Sequence, residues 1–238
     1  MVETLTGVTR ALDAQLAPLT FGPPTAAVYR PLEYAAAPFA AYLERFGAGL
    51  KEVLFLGMNP GPFGMTQTGV PFGEVAAVRD WLKIDGPVGR PPNEHPKRPV
   101  QGFACSKSEV SGRRVWAWAA ARFGTPERFF ARFFIWNYCP LVFLEASGKN
   151  RTPDQLPAAE QAPLFAACDQ ALAAVVDALQ PRFVIGFGRF AEARARLALP
   201  SFPGTIGQVL HPSPASPAAN RGWAEVVDRQ LAALGVPP

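Results

Sequence analysis

Four short apolar runs punctuate the chain: VLFL over 53–56, FFIW over 133–136, RFVIGF over 182–187 and TIGQVL over 205–210. Runs of this length, rich in β-branched and aromatic residues and closed by glycine, proline or asparagine, read as buried strands. Between them lie stretches with helical apolar spacing over 75–82, 109–123, 158–179, 190–199 and 216–234. Thr125-Pro126 supplies an N-cap and a first-turn proline for one helix more. Strands alternating with helices predict a three-layer α/β/α fold on a central, mostly parallel four-stranded sheet, with ligands in the crevice beyond the carboxyl ends of its strands. Two earlier helical stretches, 5–17 and 34–46, predict a helical N-terminal cap over 1–48. The 238 residues, 49% of them hydrophobic, suit one domain over 1–238.

The strand ends carry the polar residues. The first run breaks into Gly57-Met58-Asn59-Pro60-Gly61-Pro62, the second into Asn137-Tyr138-Cys139-Pro140, and the fourth into His211-Pro212-Ser213-Pro214. In the predicted sheet Asn59, Asn137 and His211 become neighbours in space. The loop after Asn59 adds Gly64, Gly69, Pro71 and Gly73. Such residues restrict φ or permit positive φ, fixing a loop's shape and leaving backbone N–H groups free to approach a ligand. A plain surface turn could share this composition, but a loop this long in a compact domain is more often functional.

Lys and Arg total 23 against 19 Asp and Glu, a net +4 that permits a polyanionic partner without arguing for one. The N-terminus lacks a basic stretch followed by an apolar one, and no window reads as the roughly 18 apolar residues of a membrane span, so a cytoplasmic protein without a membrane partner is expected. Cys105, Cys139 and Cys168 lie far apart with no CxxC pair; free, buried thiols are expected rather than a disulfide or metal site.

No paired catalytic carboxylates, GxSxG elbow or metal-ligand spacing is visible. The chemistry therefore rests on amides, an imidazole and shaped backbone. An amide can orient a water, which suffices when the electrophile is already an oxocarbenium-like sugar. An imidazole N–H can stabilise negative charge on a leaving group, and a second amide can read a flat imide edge.

GMNPGPFGMTQTGVPFGE at 57–74 and HPSPASPAANRGW at 211–223 resemble the two signature motifs of the single-strand-selective monofunctional uracil-DNA glycosylases, within the uracil-DNA glycosylase superfamily. The likeness extends through VRDWL at 78–82, EHPKRPV at 94–100, SEVSG at 108–112 and NYCPLVFL at 137–144. It implies the superfamily's fold and hydrolysis of the N-glycosidic bond of uracil, and of 5-modified uracils, in single- or double-stranded DNA. By the same resemblance Asn59 positions the attacking water and His211 stabilises the uracil anion through O2. Asn137 reads the pyrimidine edge, Phe72 stacks on the flipped base, Gly61 and Met65 sense the 5-position in part through a bound water, and Met58 adjoins the pocket. Ser213, Pro214 and Ala215 fall in the segment thought to wedge into the duplex, with Arg221 beyond it. Where the family commonly reads HPSPRNPQANKGW, this chain has Ala215 and Ser216. Lys97 and Arg98 are candidate phosphate contacts, with His95 either structural or a third. No cofactor or metal is implied: the superfamily's iron–sulfur members need four ligands, and this chain has three cysteines. A monomer is expected.

Two other readings compete. A non-catalytic DNA-binding relative would keep the fold without the chemistry, which intact Asn59 and His211 argue against. Gly186-Phe187-Gly188-Arg189-Phe190-Ala191 imitates the GxGxxA fingerprint of a nucleotide-dependent oxidoreductase, but it follows the third strand and no acidic residue stands about 20 positions on. Close helix–strand packing explains the same glycines.

Overall fold

The structure, a computed structural model, describes residues 4–237. The chain runs α1 (Leu5–Leu16), β1 (Thr25–Tyr29), α2 (Pro31–Tyr34), α3 (Ala36–Phe46), β2 (Val53–Gly57) and α4 (Met65–Thr68). After a wide turn at Ala77–Trp81 come α5 (Val110–Phe123), α6 (Pro126–Phe130), β3 (Phe133–Asn137), β4 (Val142–Glu145) and β5 (Asn150–Arg151). Then follow α7 (Ala158–Leu179), β6 (Phe183–Phe187), α8 (Arg189–Ala198), β7 (Thr205–Val209) and α9 (Trp223–Ala233). Thr125 caps α6 as expected, its side chain accepting from Arg128 N–H.

The central sheet is wholly parallel, in the order β3-β2-β6-β7. Strands β2, β3 and β6 are buried throughout, as strands sandwiched between helical layers must be. Side chains alternate between faces. On one face Phe133, Phe55 and Phe187 stack in a row, with centroids 5.6 and 4.9 Å apart, beneath Trp118 of α5. On the other, Tyr42 and Phe39 of α3 meet Phe134 and Trp136. Gly186, on that second face, is pressed by α8, where a Cβ would meet Ala191 and the Glu192 amide. Gly186 thus serves helix–strand packing, while Gly188, at φ 86°, abuts the His211 side chain.

Three expectations need correction. The N-terminal segment is not all helix: β1 pairs antiparallel with β4, and β4 with β5, in a second sheet. Two alanines hide this strand from propensity, although its burial alternates with Thr25, Ala27 and Tyr29 inward. The helix expected over 216–234 starts only at Trp223. Consecutive turns occupy the preceding residues, because Pro217 has no N–H to donate and Gly222, at φ 103°, breaks the run. Finally, α7, of 22 residues, is long and apolar enough to cross a membrane, with a mean hydropathy of 1.4 over an 18-residue window. Its length comes from alanine-rich sequence, and a stripe of Leu164, Cys168, Leu172, Val175 and Leu179 is buried, with α1 and α8 packed against the helix.

Candidate active site

Beyond the carboxyl ends of the parallel strands lies a cleft of about 670 Å³. Met58, Asn59, Gly61, Phe72, Asn137 and His211, which the sequence singles out, line it together with Ser213 and Pro214 of the segment assigned to the duplex wedge. Its floor begins at Gly57, where a Cβ would collide with both Asn137 Oδ1 and the Phe72 ring. Glycine at this strand end is what lets an amide and an aromatic face meet over the sheet. Phe72 rests edge-on against Phe187, centroids 4.9 Å apart, and so continues the aromatic row below. Its φ of 54° is rare for a bulky residue and marks a backbone held by its surroundings. Helix α5 does the holding: Trp116 Nε1 donates to Phe72 O at 2.8 Å, and Gly112 sits so close to that carbonyl that a Cβ would collide with it.

The two asparagine loops run side by side. Tyr138 N–H donates to Gly57 O and Cys139 N–H to Met58 O, extending the β2–β3 ladder past its ends. Asn59 Nδ2 donates to Leu141 O at 3.2 Å, which fixes the amide's orientation and leaves Oδ1 as a free acceptor in the cleft. Asn137 is buried, its Nδ2 directed at Met65 Sδ at 3.2 Å. Behind it, Tyr138 donates to Asp169 at 2.7 Å and accepts from Arg194, so α7 and α8 anchor the turn that carries Asn137. The glycine-rich loop is equally fixed. Thr66 Oγ1 donates to Gly61 O, Gln67 Nε2 to Pro62 O, and Thr68 Oγ1 to Gly73 O, so three buried polar side chains satisfy its carbonyls.

His211 follows β7. Its Nδ1 accepts from Ser213 N–H at 3.0 Å, so the neutral ring carries its proton on Nε2. Burial lowers its pKa below 6.5, keeping it neutral at pH 7. From α5, Arg114 donates to Pro212 O at 2.9 Å and to Asn220 Oδ1 at 2.7 Å, while Asn220 Nδ2 donates to Pro214 O. These bonds fasten the His211 loop to the body of the protein.

Several expected residues stand elsewhere. Met65 is buried beside Asn137 and does not line the cleft, because α4 turns its side chain inward. Lys97 and Arg98 lie outside it too: Arg98 Nε bonds Gly148 O, and its guanidinium lies 5.4 Å from the centroid of Phe63, a cleft residue. Lys107, which the sequence reading passed over, lies 5.0 Å from the same ring. His95 is structural, buried, with Nδ1 accepting from Lys97 N–H and Nε2 donating to Ala146 O. Ala215 and Arg221 are exposed beyond the cleft. Sequence reasoning missed Glu109 and Arg114, although Glu109 stands inside the SEVSG segment; what distinguishes them is burial and partnership across the fold. The three cysteines are free and buried. Among the described residues no three of His, Cys, Asp and Glu are grouped so as to hold a metal ion.

A doubly wound sheet that brings two oriented amides, a neutral imidazole and an aromatic face into one cleft has the architecture of a uracil-DNA glycosylase. Residues 45–231 match the family Uracil DNA glycosylase superfamily. Single-strand selective monofunctional uracil DNA glycosylases of Mus musculus and Bos taurus are 51% and 52% identical over 229 residues, spanning 95% of this chain and 82% and 84% of theirs. The crystal structure of wild-type SMUG2 from Pedobacter heparinus shares the fold, with a TM-score of 0.68 at 18% identity over 96% of this chain and 97% of that one. The chain belongs to the single-strand-selective monofunctional family within the uracil DNA glycosylase superfamily.

Proposed function

We propose that this protein is a monofunctional DNA glycosylase of base excision repair, hydrolysing the N-glycosidic bond of uracil and of 5-modified uracils to leave an abasic site. The observation that carries this reading is the convergence of Asn59 Oδ1, Asn137, Phe72 and His211 on one cleft. The nucleotide is flipped from its stack, since the glycosidic carbon is unreachable within it. Its base stacks on Phe72 and presents its imide edge to Asn137. As the C1′–N1 bond breaks, its electron pair leaves with the base, and His211 Nε2–H stabilises the anion at O2. A water held by Asn59 Oδ1 adds its oxygen to C1′ and releases a proton to solvent. No lysine is among the residues lining the cleft, which supports hydrolysis without strand cleavage.

The DNA backbone runs over the rim formed by Lys97, Arg98, Ser213, Pro214, Ala215 and Arg221. On this reading the protein acts as a monomer in the cytoplasm. The test is base release from a single-stranded uracil oligonucleotide, read by mass spectrometry. Free uracil and an intact strand bearing an abasic site are expected; no release from single- or double-stranded substrate overturns the assignment.

A further inference from the structure

Glu109 immediately precedes α5 and lines the cleft together with Ser108, Val110 and Ser111. Its carboxyl rests on the glycine-rich loop so closely that a Cβ on Gly61 or Gly64 would collide with it. Oε2 is out of solvent and has no hydrogen-bond partner. The carboxyl makes no helix-cap hydrogen bond of normal geometry, and the nearby Gly112 N–H only partly offsets its burial. Among the described residues no cation pairs with it, and the charge it feels is a second carboxylate, Glu74. Burial, opposed by the Gly112 N–H and assisted by Glu74, pushes its pKa up to about 7. An unsatisfied buried carboxyl costs stability, and a cleft is where a ligand can satisfy one.

The position of this carboxyl relative to a bound base follows from the proposed function, on which the inference rests. With Asn137 on the N3–O4 edge, His211 at O2 and the sugar at N1, the perimeter left over is C5 and C6. Asn137 Nδ2 touches Met65, which directly follows Gly64. The wall that continues around the ring from Asn137 is therefore the one against which Glu109 is packed.

We propose that Glu109 selects the substituent at C5 by charge, its carboxylate accepting a hydrogen bond from a cationic or hydroxyl-bearing group and repelling an anionic one. Unsubstituted uracil offers C5 no donor and is indifferent to the residue. A methyl group gains nothing there.

Single-turnover base release from single-stranded oligonucleotides carrying uracil, 5-aminomethyluracil or 5-carboxyuracil tests this, comparing wild type with Glu109→Gln at pH 8. Intrinsic leaving-group differences cancel between the two enzymes. The variant is expected to release uracil within about threefold of wild type, while its aminomethyl-to-carboxyl rate ratio falls at least fivefold. A smaller fall with uracil still released overturns the inference alone; loss of uracil release by wild type overturns the proposed function with it. Should the variant fail to fold, the wild-type ratio between pH 6.5 and 8.5 decides. Ionisation of Glu109 should raise it severalfold, burial favouring the neutral form of His211 and Glu74 being the other carboxyl nearby, and a flat ratio contradicts the proposal.

Discussion

Ser213 N–H decides what His211 can do, because an imidazole accepting at Nδ1 must donate from Nε2. Nitrogen-15 NMR of the free protein at pH 7 should therefore show a neutral ring protonated on Nε2; a ring protonated on Nδ1 would remove the proposed donor to the leaving base. The two shifted groups of the cleft act oppositely on stability. His211 has a folded pKa below its unfolded value, so it costs nothing above pH 6.5 and destabilises as pH falls below that. Glu109 has a folded pKa of about 7 against an ordinary 4.5, so its cost is absent below pH 4.5 and complete above pH 7. Glu109→Gln should thus stabilise the protein at pH 8 by on the order of 3 kcal/mol, a gain that shrinks as pH is lowered toward 4.5. Denaturant unfolding at the two pH values measures it, and an equal effect at both would mean the carboxyl is not held neutral by burial. At this scale Asn59, Asn137 and His211 were legible because each stands where an apolar run breaks. Glu109 was not, since nothing local in SEVSG says that its carboxyl is buried without a partner.

Helix α5 is the element that joins the two halves of the cleft. Gly112 and Trp116 fix Phe72, Glu109 packs on the first loop, and Arg114 ties the second. Removing Arg114 frees the Pro212 and Asn220 groups that it bridges, and charged hydrogen bonds of this kind contribute about 1.5–3 kcal/mol. Arg114→Ala should lower the single-turnover rate by about tenfold through misplacement of His211. An unchanged rate would show that the loop is held without it. The sequence revealed β2, β3 and β6 because a strand covered by helices on both faces is continuously apolar, and the edge strand β7 by the polar break at His211 that follows it. It hid β1, whose alanines carry little β-propensity and which is fixed by pairing with β4, 113 residues away at the Tyr29–Val142 end of the ladder rather than by its own residues. It also overextended α9, because apolar spacing alone does not register the missing N–H of Pro217 or the positive φ of Gly222.

For the whole molecule the proposed function makes the cleft one station on a longer path for nucleic acid, to which Arg98 and Lys107, gathered over Phe63, and the turns at Ser213 to Arg221 would contribute. Ala215, exposed in those turns, is too small to fill the gap left by a flipped base or to reach a phosphate. Part of the unstacking cost, about a few kcal/mol for a paired base, is then unrecovered, and single-stranded substrates suffer least. Ala215→Arg should raise activity on a U·A duplex more than on single-stranded uracil; an equal change on both would place the wedge elsewhere. The central claim, that Asn59 activates water for hydrolysis of the glycosidic bond, is tested most directly by single-turnover uracil release from Asn59→Ala, with its DNA affinity and fold measured alongside. We predict a loss of about a hundredfold or more, since a misplaced nucleophile costs that much, with affinity and circular dichroism unchanged. A folded, DNA-binding Asn59→Ala protein that releases uracil within tenfold of wild type would contradict it.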